Sequence, residues 1–180
     1  MDKALFAYMP AETYLAAMLG GENAAIDIFG SIELRMRRLR VLCEDPVADL
    51  AYLSLGECAA LSWACETATT ALAMDHDQQH RIAMINFDQF LKTPGAMLEK
   101  CLTHFDAPAN ASAIEKTVSG PLMTQYSKAP EHQFSPNFRE QLLAQYRQEH
   151  ASEVAKGMAW LEANAKNFAP VETALNRFND

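Results

Sequence analysis

Hydrophobic positions along this 180-residue chain follow two kinds of pattern. Two short runs are apolar without helical spacing. One is Lys3 to Tyr8, KALFAY, closed by Pro10; the other holds Ile82, Met84, Ile85 and Phe87. Short apolar runs bounded by turn residues suit buried strands, so strands are expected at Ala4–Tyr8 and Ile82–Phe87. Elsewhere apolar residues recur three to four apart, the spacing of one helical face. Helices are expected over Ala11–Leu19, stopped by Gly20-Gly21, and over Ala24–Leu42, interrupted near Gly30-Ser31. The longest runs from Ser54 to about Met74, with Leu61, Ala64, Cys65, Ala68 and Leu72 on one face. Trp63 and Cys58 widen that face, so this helix should be buried on more than one side. Ser54 with Glu57 three residues on fits a capping box, in which each side chain satisfies the other residue's backbone N–H.

After the second strand, Asp88 leaves the apolar run and Phe90 and Leu91 return to it. Pro94 can open a helix over Gly95–Phe105, because the N–H that proline lacks would be unpaired in a first turn. Met97, Leu98, Cys101, Leu102 and Phe105 form its stripe. Ala109–Ser119 is weakly helical and ends at Gly120-Pro121. Tyr126–Pro136, YSKAPEHQFSP, reads as a polar loop, with Ser135-Pro136 placed to cap a helix from Asn137 to about Gln148. The helical pattern resumes through Val154, Met158, Leu161 and Ala165, and a short turn from Pro170 closes the chain. Two strands, each followed by a helix and separated by a long helical region, imply parallel pairing. The fold class expected is α/β, mostly helical, in a single domain over residues 1–180. Because parallel strands are normally flanked and covered on both faces, the chain reads as the second half of a larger α/β domain.

Composition narrows the functional classes. A formal net charge of −8 argues against a general nucleic-acid or anionic-membrane binder. No stretch of about 18 apolar residues is present, so no spanning helix is expected. Cys43, Cys58, Cys65 and Cys101 are scattered without a CxxC pair, and the N-terminus lacks a basic-then-apolar leader. Reduced thiols, a cytoplasmic location and no metal follow as expectations.

The segment Arg81–Pro108, RIAMINFDQFLKTPGAMLEKCLTHFDAP, carries a strand, an aromatic–acidic–x–aromatic turn, Pro, and a helix ending in Phe. In that order it resembles the late strand–helix unit of the bacterial sulfotransferase-like family. Leu55–Ala71 and YSKAPEH at Tyr126–His132 look like the same family, and Lys3–Leu19 resembles its 3′-phosphate-binding unit. The resemblance implies a P-loop-type sulfotransferase fold. It also implies sulfuryl transfer from 3′-phosphoadenosine 5′-phosphosulfate, as co-substrate, to an acceptor hydroxyl or amine. In the family an Arg and a Ser eight residues later donate to the 3′-phosphate. Here Met9 and Ala17 stand at those positions. None of the seven glycines lies in a strand–GxxxxGK[ST]–helix context, so no phosphate cradle is visible. The resemblance places Tyr126, Ser127 and Lys128 where the family's C-terminal loop closes over the nucleotide. They become candidate cofactor-binding residues, Lys128 facing a phosphate. The chain alone is then expected not to turn over, no catalytic residue being assignable. The rival reading is a non-enzymatic helical interaction module that kept the packing and lost the chemistry. Either way, strands 4–8 and 82–87 should leave an open edge, which predicts self-association near Leu5, Phe6 and Ile85, or a missing N-terminal half as partner.

Four further groups carry weaker signals. Arg35, Arg37, Arg38 and Arg40 concentrate four of fifteen basic residues; guanidinium forks suit phosphate, but a solvated helix face paired with glutamates is the expected role. His76 and His80 share the i, i+4 spacing of zinc sites, in polar surroundings where the helix should already be ending. His132 and His150 each follow a glutamate, and Trp63 and Trp160 are expected in the core.

Overall fold

The computed structural model describes residues 2–44, 52–108, 110–126 and 129–179; the side chains at 122, 126 and 129–132 lie outside that description. In chain order the elements are β1 (Ala4–Tyr8), α1 (Ala11–Leu19), α2 (Ala24–Phe29), α3 (Ile32–Cys43), α4 (Leu55–His76) and β2 (Ile82–Asn86). There follow α5 (Phe87–Lys92), α6 (Pro94–His104), α7 (Ala111–Val118), β3 (Gln125–Tyr126) and β4 (Ala129–Gln133), then α8 (Pro136–Glu149), α9 (Ala151–Ala165) and α10 (Ala169–Phe178). The protein is mostly helical with a short parallel strand pair, as the pattern predicts. The chain divides into two compact units: one holds the residues up to Tyr8 with Gln79–Leu142, the other Met9–Gln78 with Leu143 onward.

In the first unit β1 and β2 pair in parallel, Ala4 opposite Ile82 and Tyr8 opposite Asn86. Ala4 N–H donates to Arg81 O at 2.8 Å. Alternation along the strand then turns the amides of residues 4, 6 and 8 towards β2 and those of Leu5 and Ala7 to the outer edge. The expected strand over Ile82–Phe87 stops one residue early. Asn86 is the reason: its Oδ1 accepts from Asp88 N–H at 2.9 Å and Gln89 N–H at 3.2 Å, which starts α5 at Phe87. Pro94 opens α6, and α7 follows it with Asn110 as its cap.

Residues 126–136, expected as a loop, are partly a hairpin: β3 and β4 pair antiparallel, Gln125 opposite Gln133. Phe134 N–H extends it to Thr124 O at 2.9 Å. Backbone hydrogen bonds hold this hairpin without apolar alternation, so periodicity could not reveal it. Pro130 is tolerated because a two-stranded ribbon consists of edge strands.

The second unit is built around α4. Its sequence is rich in Ala, Gly, Ser, Thr and Cys, and α1, α2, α3, α9 and α10 all pack against it. Small side chains let that many neighbours approach one helix. Leu61, Trp63, Cys58 and Cys65 are buried along with five alanines on several faces. Hydroxyls inside the helix are satisfied by carbonyls one turn back, as with Ser62 to Cys58 O at 3.0 Å and Thr67 to Trp63 O at 2.6 Å. The capping box is formed: Ser54 Oγ accepts from Glu57 N–H at 3.3 Å and Glu57 Oε2 from Ser54 N–H at 2.7 Å. At the other end of the chain, the expected short turn from Pro170 is the ten-residue helix α10. Pro170 occupies its first turn, where it initiates rather than breaks.

A second carboxylate reaches the start of α4. Glu153 Oε2 accepts from Gly56 N–H at 2.7 Å, while Glu153 Oε1 meets Lys156 Nζ at 2.6 Å. The Lys156 ammonium, and then the Gly56 amide, hold the Glu153 carboxyl below the usual glutamate range. A group depressed in the folded state contributes stability above its unfolded pKa, about 4.3, and loses it as pH falls through the folded value. Glu153→Gln should therefore lower the urea midpoint at neutral pH and converge with wild type in the acid range. A gap between the two that is independent of pH would remove Glu153 from this role.

Candidate functional site: the carboxyl ends of the strand pair

In parallel α/β sheets ligands bind beyond the carboxyl ends of the strands, so the residues that follow Asn86 and those that follow Tyr8 are the candidates, each described within its own unit. In the first unit this is the turn Phe87-Asp88-Gln89-Phe90. Phe87 and Phe90 stack with centroids 6.3 Å apart. Arg139 of α8 crosses the Phe87 ring at 5.3 Å and pairs with Asp88 Oδ1 at 2.7 Å, both side chains mostly covered. The acidic residue of the turn is thus held by a guanidinium and is a poor candidate for a free general base. Arg139→Ala should leave that carboxylate partly buried without this partner, costing about 2 kcal/mol; urea unfolding against Asp88→Asn/Arg139→Ala would measure how much of the loss is their coupling.

In the second unit the polypeptide leaving β1 is Met9-Pro10, then α1. Met9 O accepts from Trp63 Nε1–H at 2.9 Å. Pro10 offers no capping side chain, and the first amide of α1, Ala11 N–H, instead donates to Asn179 Oδ1 at 3.1 Å. Arg147 binds the same turn, donating to Thr13 Oγ1 at 3.0 Å and lying 3.4 Å from Glu12 Oε1. This helix start is therefore occupied by the protein's own polar groups. Met9 and Ala17, at the positions of the family's Arg and Ser, are both half-buried and neither side chain can donate a hydrogen bond. Sequence reasoning missed Asn179 and Arg147; no local motif links residues so far along the chain to α1.

Tyr126 is the last residue of β3, while Ser127 and Lys128 fall outside the described residues. The arginine run lies on α3: Arg35 Nε meets Glu66 Oε1 at 3.0 Å, Arg38 lies 3.6 Å from the other Glu66 oxygen, and Arg37 pairs with Glu33 one turn back. That is the glutamate-paired face expected. Tyr14, beside Arg35 and Glu66, has its hydroxyl pKa raised by burial, with Arg35 pulling the other way. Burial likewise raises the thiols of Cys58, Cys65 and Cys101, which disfavours the nucleophilic thiolate; none of the four cysteines is in a disulfide. His76 ends α4 and His80 lies past it with φ 51°, so the two do not share a helical face. No group of three His, Cys, Asp or Glu among the described residues is arranged to hold a metal ion. His150 precedes α9 as its cap residue, and the His132 side chain lies outside the description. Trp63 and Trp160 are buried. No helix among the described residues is long and apolar enough to cross a membrane.

No protein-family model, curated protein or solved structure matches the chain.

Proposed function

We propose that the chain is a sulfotransferase-like unit that keeps the nucleotide-side strand–helix framework and does not turn over by itself. The reaction of that fold is sulfuryl transfer from 3′-phosphoadenosine 5′-phosphosulfate to a hydroxyl or amine. It needs a general base and donors around the transferred group. The observation that supports the reading is the parallel register of β1 with β2, each strand feeding a helix at its carboxyl end through Met9-Pro10 and Asn86-Phe87-Asp88. Under this reading Tyr126, Ser127 and Lys128 belong to the loop that covers the nucleotide. The competing reading, a non-enzymatic helical module, draws on the Asn179 contact at the start of α1 and on the loss of both donors at Met9 and Ala17.

Calorimetry with adenosine 3′,5′-bisphosphate tests both. Wild type should bind weaker than the low micromolar range, which corresponds to about −8 kcal/mol. Met9→Arg with Ala17→Ser restores the two donors, and each hydrogen bond to a charged phosphate is worth about 1.5–3 kcal/mol. The double variant should gain at least about tenfold in affinity, and Lys128→Ala should then reduce it. A folded double variant with no gain would sink the sulfotransferase reading and leave the interaction module.

A further inference from the structure

Helices α6 and α7 enclose an open groove of about 430 Å³, lined by Gly95, Ala111, Ile114 and Val118 together with Glu99 and Glu115. Neither helix has a fully buried residue. Ile114 faces Gly95, its Cγ2 3.8 Å from where a Cβ at that position would lie. Ile114 and Val118 are only half-covered and fall four apart, on one face of α7. Glu99 and Glu115 are exposed, and neither side chain meets a cation among the described residues. An apolar groove with two unmatched carboxylates is complementary to an apolar stripe flanked by cations.

The same chain carries such a stripe. On α3, Leu34 is 59% exposed and Val41 77% exposed, with Arg37 and Arg38 between them at i+3 and i+4. All four are on one face of the helix. Among the described residues Arg37 pairs with Glu33, both side chains 72% exposed, and surface pairs of that kind exchange at little cost. Leu34 and Val41 are separated by about 10 Å along the axis, and the α7 lining of the groove from Ala111 to Val118 covers the same seven-residue interval. The stripe and the groove therefore match in length as well as in charge.

We propose that α3 of one copy docks in the α6–α7 groove of a second copy, Leu34 and Val41 along Ala111, Ile114 and Val118, Arg37 against Glu99 or Glu115. The contact is heterologous, joining two different surfaces. A pair leaves one copy's groove and the other copy's stripe unused, so association continues past the dimer until a ring closes. It is partly electrostatic and weakens with salt.

Sedimentation equilibrium of the full chain over a concentration series tests this. At about 50 mM salt, below physiological ionic strength, the average mass should rise reversibly beyond that of a dimer, and salt near molar strength should weaken the contact about tenfold or more. Val41→Glu and, separately, Glu99→Lys/Glu115→Lys should each yield monomer. Adding Arg37→Glu to the Glu99→Lys/Glu115→Lys variant should recover part of the association. Every substituted side chain is exposed, so unchanged circular dichroism is expected to certify the fold. A monomer at all concentrations at low salt overturns the proposal. So does an association that Val41→Glu leaves intact but Ala7→Pro abolishes, as pairing through the open edge of β1 would give. Failure of the charge swap to recover any association overturns it as well. The outcome is independent of the bisphosphate titration, which addresses other residues.

Discussion

Replacing Gly56 by alanine should be among the most damaging single changes in this protein, and Gly157→Ala should come close behind. Glycine to alanine within a helix normally gains about 1 kcal/mol. Here both glycines sit where α4 and α9 touch backbone to backbone. A Cβ on Gly56 would lie 1.9 Å from Glu153 O and 2.6 Å from Glu153 C. One on Gly157 would lie 2.6 Å from Gly56 O and 2.9 Å from Leu15 Cδ2. Backbone atoms cannot swing aside as the end of a side chain can, so the helices must separate, opening the core between them. Overpacking of this kind costs about 1–3 kcal/mol and occasionally more. Losses of about 3 kcal/mol for Gly56→Ala and about 2 kcal/mol for Gly157→Ala are expected from urea unfolding. Gly21→Ala supplies the control: nothing lies closer than 3.6 Å to its Cβ, and a change within about 0.5 kcal/mol is expected. Wild-type stability in Gly56→Ala would mean that α4 and α9 can part without loss.

That contact also marks a limit of what the sequence discloses. Glycine in a helical stretch reads as a weak point, and nothing local distinguishes one that admits a neighbouring backbone from one that merely tolerates solvent. The elements around it were more legible. Ser54 with Glu57 announces the start of α4 because the capping box is a local exchange of hydrogen bonds, and both bonds are formed. The continuous apolar character of Ser54–Met74 announces a helix buried on several sides, and five helices do cover it. The parallel pairing of β1 with β2 follows from two apolar runs and a connection long enough to cross over. The β3–β4 hairpin was hidden because its ladder is made by backbone groups beneath a polar, proline-bearing sequence.

The candidate site divides in the same way. The aromatic–acidic–x–aromatic turn was visible, since its residues are adjacent. Its meaning was not, because Arg139 lies 51 positions from Asp88 and only the fold brings the guanidinium to the carboxylate. Asn179, 168 positions from Ala11, is a more extreme case. A glutamate partner for the arginine run could be guessed from composition, whereas the identity of Glu66 required α3 and α4 to pack.

Phe178→Ala carries the other large expected effect, at a place where the sequence misleads. Pro170 suggests an ending, yet Val171, Ala174 and Phe178 behind it lie at i, i+3 and i+7 and are all fully buried. Helix α10 packs on both α4 and α9. Its end is tied down by Arg177, which donates to Ala71 O at 3.2 Å and meets Asp75 Oδ1 at 2.6 Å. Truncating a buried phenylalanine removes its transfer free energy and leaves a cavity, together about 3–5 kcal/mol. For a domain of ordinary stability, about 5–15 kcal/mol, that is a large share of the whole. Arg177→Ala, which loses partly exposed contacts, should cost no more than about 1 kcal/mol. Urea unfolding of the two variants should therefore separate by at least about 2 kcal/mol. If Phe178→Ala instead falls within about 1 kcal/mol of wild type, well below the cost of truncating a core phenylalanine, α10 is an appendage and the core of the second unit closes without it.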